Sequence, residues 1–166
     1  MRIPVVNEQD EILGYKEREN LEPEDICRVT SLWVTDKEGN ILLAQRAFKK
    51  KTNPGMWGPA VSGTVEEGET YEENMKKEAQ EEIGFVGFNS VLGPKFRRST
   101  SHEYFVQWYT AVIDHNYSFK KQDDEVEEIR WFTKEEILKF VEENPKSVSD
   151  NFINTLNYFT KNETKN

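Results

Sequence analysis

The chain is poor in the residues from which covalent and metal staples are made. Its 166 residues include one cysteine, Cys27, and two histidines, His102 and His115. An internal disulfide is excluded, and a Cys/His zinc cluster lacks ligands. Long apolar runs are also missing: no uninterrupted stretch approaches the ~18 residues of a membrane span. The opening MRIPVVNEQDEILG soon turns charged and has no apolar leader core. Basic residues are outnumbered, 22 Lys and Arg against 31 Asp and Glu, for a formal net charge of −9. A negative field opposes bulk binding to nucleic acid or an anionic membrane. The expectation is a protein of the reducing cytoplasm with neither partner, a homodimer being left open.

What is present points to an ordered domain. Mean hydropathy is low at −0.82, yet aromatics reach 12% and the four tryptophans are spread along the chain. The length suits one domain over residues 1–166, with 1–25 as an N-terminal hairpin extension and about 161–166 as a flexible tail. No internal repeat is visible. Residues 3–6 and 11–15 predict a hairpin, and 26–35 and 41–47 predict two strands flanking turn residues Asp36 to Asn40. Residues 48–58, basic and broken by Pro54 and Gly55, predict a loop; further extended stretches are expected near 96–113 and 126–132. Three helices are signalled. The first opens at Thr70 with Glu73 three residues on and stops at Gly84; the second opens at Thr133 with Glu136 in the same relation; the third starts from Ser149 and fades after Thr160. Strands and helices mix without strict βαβ alternation, which predicts an α+β, layered αβα sandwich with a mixed sheet.

The informative segment is GTVEEGETYEENMKKEAQEEIGF, Gly63 to Phe85. At ~100° per residue, Glu78, Glu81 and Glu82 share one helix face, beside an apolar stripe of Met75, Ala79 and Ile83. Three packed like charges repel unless solvated or joined by a cation, and hard Mg²⁺ or Mn²⁺ takes such oxygen ligands together with substrate phosphate. Glutamate-rich helix faces are more often plain solvated surface. The wider spacing of Gly63, Glu69, Glu78, Glu81, Glu82 and Gly84 speaks against that.

This segment resembles the signature box of the Nudix hydrolases, GX5EX7REUXEEXGU, where U is a bulky aliphatic. Six strict positions match, and Lys77 stands where the family has arginine. The resemblance implies a loop and helix that hold Mg²⁺ or Mn²⁺ against a diphosphate linkage. It makes Glu78 and Glu82 metal ligands, Glu81 a ligand or the base that activates water, and the backbone near Ser62 and Gly63 a further oxygen ligand. Glu69 would orient the helix through Lys77. Glu125, in QDDEVEEIRW, is the candidate for a late-loop carboxylate, against a solvated acidic loop.

A knot of cations, Arg46, Lys49, Lys50 and Lys51, enters the loop ahead of Trp57. In so acidic a chain it suits a polyanionic substrate, with Arg46, Lys50 and Lys51 as binding residues and Arg97 and Arg98 as secondary candidates. Most of Trp33, Phe48, Trp57, Phe105, Trp108 and Trp131 are expected in the core, and Cys27 buried and inert.

The implied activity is a metal-dependent pyrophosphohydrolase of a small-molecule diphosphate, a nucleoside diphosphate linked to another moiety. ILLAQRAFKKKTNPGMWGPAVSGTVEEGE also resembles the type I isopentenyl-diphosphate isomerases. Their WxxxxCGH stretch reads Trp57 to Thr64 here, with Ser62 for the cysteine, Thr64 for the histidine, and Cys27-Arg28 where a His-Arg pair is expected. Isomerase chemistry therefore lacks its thiol and its metal histidines. A non-catalytic Nudix-fold nucleotide-sensing module is the other alternative; retention of Glu69, Glu78, Glu81 and Glu82 argues against it.

Overall fold

The computed structural model describes residues 1–162. The amino-terminal hairpin forms as expected, β1 (Arg2–Val6) antiparallel to β2 (Ile12–Glu17), followed by a 3-10 turn at Arg18–Asn20. β3 (Ile26–Asp36) is the central strand. β4 (Ile41–Arg46), β6 (Val61–Thr64) and β1 pair antiparallel with it, while β8 (Glu103–Ile113) runs parallel to it from Ile26↔Glu103 to Asp36↔Ile113. β5 (Trp57–Pro59) and β9 (Val126–Phe132) flank β4, and β7 (Val91–Ser99) pairs with β8. The sheet is mixed, as expected.

Three strand expectations are corrected. The stretch near 96–113 is a hairpin, broken at residues 100–102, whose first strand starts at Val91. The basic loop ends at Met56, because Trp57 to Pro59 pairs with Leu43 to Gln45. The strand β6 was not anticipated: its four residues are too short and too glycine-rich to signal a strand locally and gain their pairing from β3.

Alternation along β3 and β4 builds two cores. Leu32, Val34, Leu42 and Ala44 face α1 (Tyr71–Ile83), which contributes Met75, Ala79 and Ile83. Trp33, Ile41 and Leu43 face α2 (Lys134–Glu143) and α3 (Asp150–Asn162), with Ile137, Phe152, Leu156 and Phe159. Helices on both faces of a mixed sheet make the αβα sandwich of an α+β fold. Both capping boxes are present, at Thr70/Glu73 and Thr133/Glu136. α3 continues two residues beyond its expected end to Asn162; of the expected tail, 163–166 lie outside the described residues. Of the expected core aromatics, Trp33, Trp57, Phe105 and Trp108 are buried, whereas Phe48 is exposed and Trp131 is stacked on His115. Cys27 is buried too, and burial pushes its thiol pKa up.

Candidate active site

The site is built on α1 and the strand that precedes it. Thr70 Oγ1 accepts from the Glu73 amide at 3.2 Å, and the Glu73 carboxylate accepts from the Thr70 amide at 2.8 Å, which fixes the first turn. At the other end Gly84 takes a left-handed φ of 64°, letting the Phe85 amide donate back to the Ala79 carbonyl at 2.9 Å. With Met75, Ala79 and Ile83 fully buried, the rotation of the helix is set, and Glu78 and Glu82 are carried onto β6.

Behind them lies a compensated cluster centred on Asn74, a fully buried residue. Its Nδ2 donates to Glu69 Oε2 at 2.8 Å and to the Thr64 carbonyl at 3.1 Å, and lies 3.4 Å from Glu78 Oε1. The Thr30 hydroxyl donates to Asn74 Oδ1 at 2.7 Å. Lys77 Nζ sits 2.6 Å from both Glu66 Oε1 and Glu69 Oε1. Burial alone would push the Glu69 carboxyl up, but Lys77, the Glu66 amide and Asn74 outweigh it and hold the carboxyl below its ordinary value. Burial works against the Lys77 charge, and the two glutamates reverse it, raising the ammonium pKa. Neither Asn74 nor Glu66 was singled out from the sequence. The available signal was an amide one helical turn before Glu78, within a buried stripe where solvated residues do not belong.

Glu78 and Glu82 are treated differently. Burial pushes Glu78 up to about 7, with Lys77 opposing and Glu81 adding to the rise. Burial, reinforced by the Glu78 charge, pushes Glu82 up to about 8; the Ser62 amide, donating at 3.3 Å, opposes it. Gly63 is packed under Glu78 so closely that a Cβ there would overlap the Glu78 Cγ, Cδ and Oε1. Glu81 is exposed. Among the described residues no three His, Cys, Asp or Glu side chains are gathered to hold a metal ion; Glu78 and Glu82 form a desolvated pair and Glu81 stands exposed beside it. A helical wheel places the three glutamates on one face; β6 covers two of them. Two carboxylates without a cation in contact still suit Mg²⁺, which is held by one or two carboxylates and completes its shell with water and phosphate oxygen. At Ser62 it is the amide that points to Glu82, and the hydroxyl donates to the Thr30 carbonyl.

Glu82 and Ser62 open onto a cleft of about 710 Å³ that also takes in Arg46, Lys50, Lys51 and Glu125. Arg46 donates from Nε to the Thr52 carbonyl at 3.0 Å and has no carboxylate within 4.0 Å among the described residues. Lys51 is exposed. Lys50 and Glu125, expected to serve substrate and metal separately, pair with each other at 2.5 Å, and Lys49 pairs with Asp124 beside them. The two loops are thus clasped across the cleft mouth, which sequence separation hid. Of the two secondary arginines, Arg97 is claimed by Glu8 and Glu103, while Arg98 lines the cleft.

The NUDIX domain family model matches residues 26–152. A Nudix hydrolase of Salmonella typhi, YfcD, is 31% identical over 136 residues, which cover 81% of this chain and 73% of that protein. The crystal structure of DR0079 from Deinococcus radiodurans superposes with a TM-score of 0.82 at 24% identity, over 95% of this chain and 98% of that one. The NUDIX domain of Shewanella oneidensis NrtR, solved with ADP ribose, superposes with a TM-score of 0.67 at 14% identity, over 89% and 93%. With the box residues on the strand, loop and helix just described, the chain belongs to the Nudix family and is a hydrolase of phosphoric anhydrides.

Proposed function

We propose that this hydrolase is a divalent-cation-dependent pyrophosphohydrolase acting on a nucleoside diphosphate linked to another moiety. The observation that carries this is the Glu78 and Glu82 pair, two desolvated carboxylates with no ion-pair partner among the described residues, of which Glu82 opens onto a cleft that also holds Arg46 and Lys51. The ADP ribose bound by the NrtR domain is itself a molecule of this chemical class.

Glu78 and Glu82, with backbone oxygen near Ser62 and Gly63, would hold Mg²⁺ or Mn²⁺. Such an ion supplies charge neutralisation on phosphate oxygens and a more acidic water. Arg46, fixed at the end of β4, takes phosphate oxygens with its planar fork, and Lys51 adds charge from the loop. Glu81, solvent-exposed on the same helix, takes the proton from the attacking water, or serves as a further ligand. Glu69, held by Lys77 and Asn74, keeps the helix and Glu78 in register. Glu125 joins the ligands only by giving up Lys50, and Lys50 reaches substrate only by giving up Glu125. The substrate pool suits a reducing cytoplasm, given one buried cysteine.

Product release should be followed across sugar nucleotides, dinucleotides and nucleoside triphosphates, with Mg²⁺, Mn²⁺ or excess EDTA. Cleavage of a linked diphosphate that needs the cation is the expected result. Full turnover in EDTA overturns the metal dependence, and cleavage of none of these linked diphosphates overturns the substrate class.

A further inference from the structure

We propose that the far end of the same cleft is a second anion site, which takes a phosphate or carboxylate on the moiety beyond the scissile diphosphate. The inference rests on the diphosphate reading above and deepens it. β4 and β6 pair with one edge of β3, and β8, carrying β7, with the other. Arg46 ends β4, whereas Arg98 lies in β7, so these two cleft-lining arginines stand on opposite edges of the central strand. Cys27, Val29 and Ser31 of β3 line the cleft between them.

Three features of that far end select an anion. First, its cations have no carboxylate partner among the described residues. Most lysines and arginines of this acidic chain sit against a carboxylate, but among the described residues neither Arg18 nor Arg98 has one within 4.0 Å. The contrast is sharpest between neighbours: Arg97 is neutralised by Glu8 and Glu103, and Arg98 is left with its guanidinium 4.4 Å over the Phe96 ring. That stacking fixes the group without consuming its hydrogen-bond donors. Second, the carboxylates that line the cleft are Glu82 and Glu125, both at the diphosphate end, so no carboxylate lines it beside Arg18 and Arg98. Third, the Tyr104 hydroxyl accepts from Asn151 Nδ2 at 3.1 Å and has no acceptor for its own proton among the described residues, which leaves a donor facing the same space. Arg18 comes from the segment between β2 and β3, outside the residues matched by the family model. The amino-terminal extension thus supplies a specificity element that the signature box cannot encode.

The test uses matched probes that differ only in a remote charge: NADP⁺ against NAD⁺ for phosphate, and UDP-glucuronate against UDP-glucose for carboxylate. Calorimetric binding with Ca²⁺ present requires no turnover, and product release with Mg²⁺ is read separately, so this proposal and the hydrolysis reading can fail independently. In at least one pair the charged member is expected to bind ~10-fold tighter, and the pair that shows it names the anion. The preference should shrink above about 0.5 M NaCl. Arg98→Ala should reduce it to about twofold or less and Arg98→Lys retain part of it, since a point charge lacks the fork. Lys146→Ala, which removes a cation outside the cleft, should leave it intact. Equal affinities within both pairs, no binding by any probe, or a preference that survives the Arg18→Ala/Arg98→Ala double variant would each overturn the assignment.

Discussion

Two acidic groups at helix α1, Glu69 just ahead of its first turn and the Glu78 and Glu82 pair on it, stand in opposite electrostatic circumstances. Glu69, docked against its middle, is met by Lys77, Asn74 and a backbone amide, and its carboxyl is held below the ordinary range. Glu78 and Glu82 are desolvated as well, but the charges that oppose this, Lys77 for Glu78 and Arg46 for Glu82, form no ion pair with them among the described residues, and both carboxyls are pushed up. A fold that can neutralise one buried glutamate so fully has the means to neutralise the others. Under the proposed function, leaving the pair without an ion-pair partner would favour a cation that arrives from outside.

The largest break in this contrast comes from the uncompensated side. Glu82→Gln and Glu78→Gln preserve shape and remove charge, so kcat with Mg²⁺ should fall at least ~100-fold while the fold persists. Steady-state kinetics beside thermal melting checks both halves. On the compensated side, Lys77→Ala leaves Glu66 and Glu69 unneutralised and should lose roughly 10 to 100-fold in metal affinity or activity; Lys77→Arg should be tolerated. Metal titrations of the three proteins decide this, and an alanine variant with the wild-type midpoint would detach Lys77 from the site. Asn74→Ala strips Glu69, Thr30 and the Thr64 carbonyl of a buried partner, destabilising the fold by about 1–3 kcal/mol. It should also lower kcat about 10-fold through a loosened Glu78, a smaller loss than at Lys77 because the ion pair survives.

A smaller effect separates the clusters by pH. For Glu78 and Glu82 the folded pKa lies above the unfolded one, so in EDTA their contribution is most favourable below about pH 4.5 and is lost as pH rises toward about 8. Glu69 and Asp10, held below their ordinary values by Lys77 and by Lys95 with Arg28 despite burial, contribute above the unfolded pKa and lose it as pH falls. The melting temperature in EDTA should therefore peak near pH 5 and decline toward pH 8, and Mg²⁺ should stabilise more as pH rises. A Glu78→Gln/Glu82→Gln double variant with an unchanged alkaline decline would refute the assignment. The mildest change is Arg46→Ala, which should raise KM for diphosphates several-fold with kcat little altered, because the group meets ground and transition state alike.

Local chemistry was legible in the sequence, and juxtaposition was not. The capping boxes at Thr70 and Thr133, the stop at Gly84 and the turn after Asp36 each depend on residues within a few positions and formed as expected. The six box residues likewise pointed to α1. What stayed hidden depends on distant strands. Glu81 differs from Glu78 and Glu82 only because β6 lies over the latter two. Lys50 and Glu125, 75 residues apart, find each other through loops that β4 and β9 bring together. Asn74 reads as one more polar residue of a charged helix until its burial between Thr30 and Glu69 is seen.

The parallel ladder between β3 and β8 joins positions about 77 residues apart over eleven consecutive pairs. β6, the signature loop and all of α1 lie within the stretch of chain that this ladder closes. Loop-closure entropy must be overcome before the ladder returns any stabilisation, so its formation is expected late in folding. The burial that sets Glu78 and Glu82 against each other comes from packing α1 onto β6, itself an arm of that closed loop. On that order a nascent chain would pass through early folding with its glutamates still hydrated, and their repulsion would arise only when the central sheet is available to contain it.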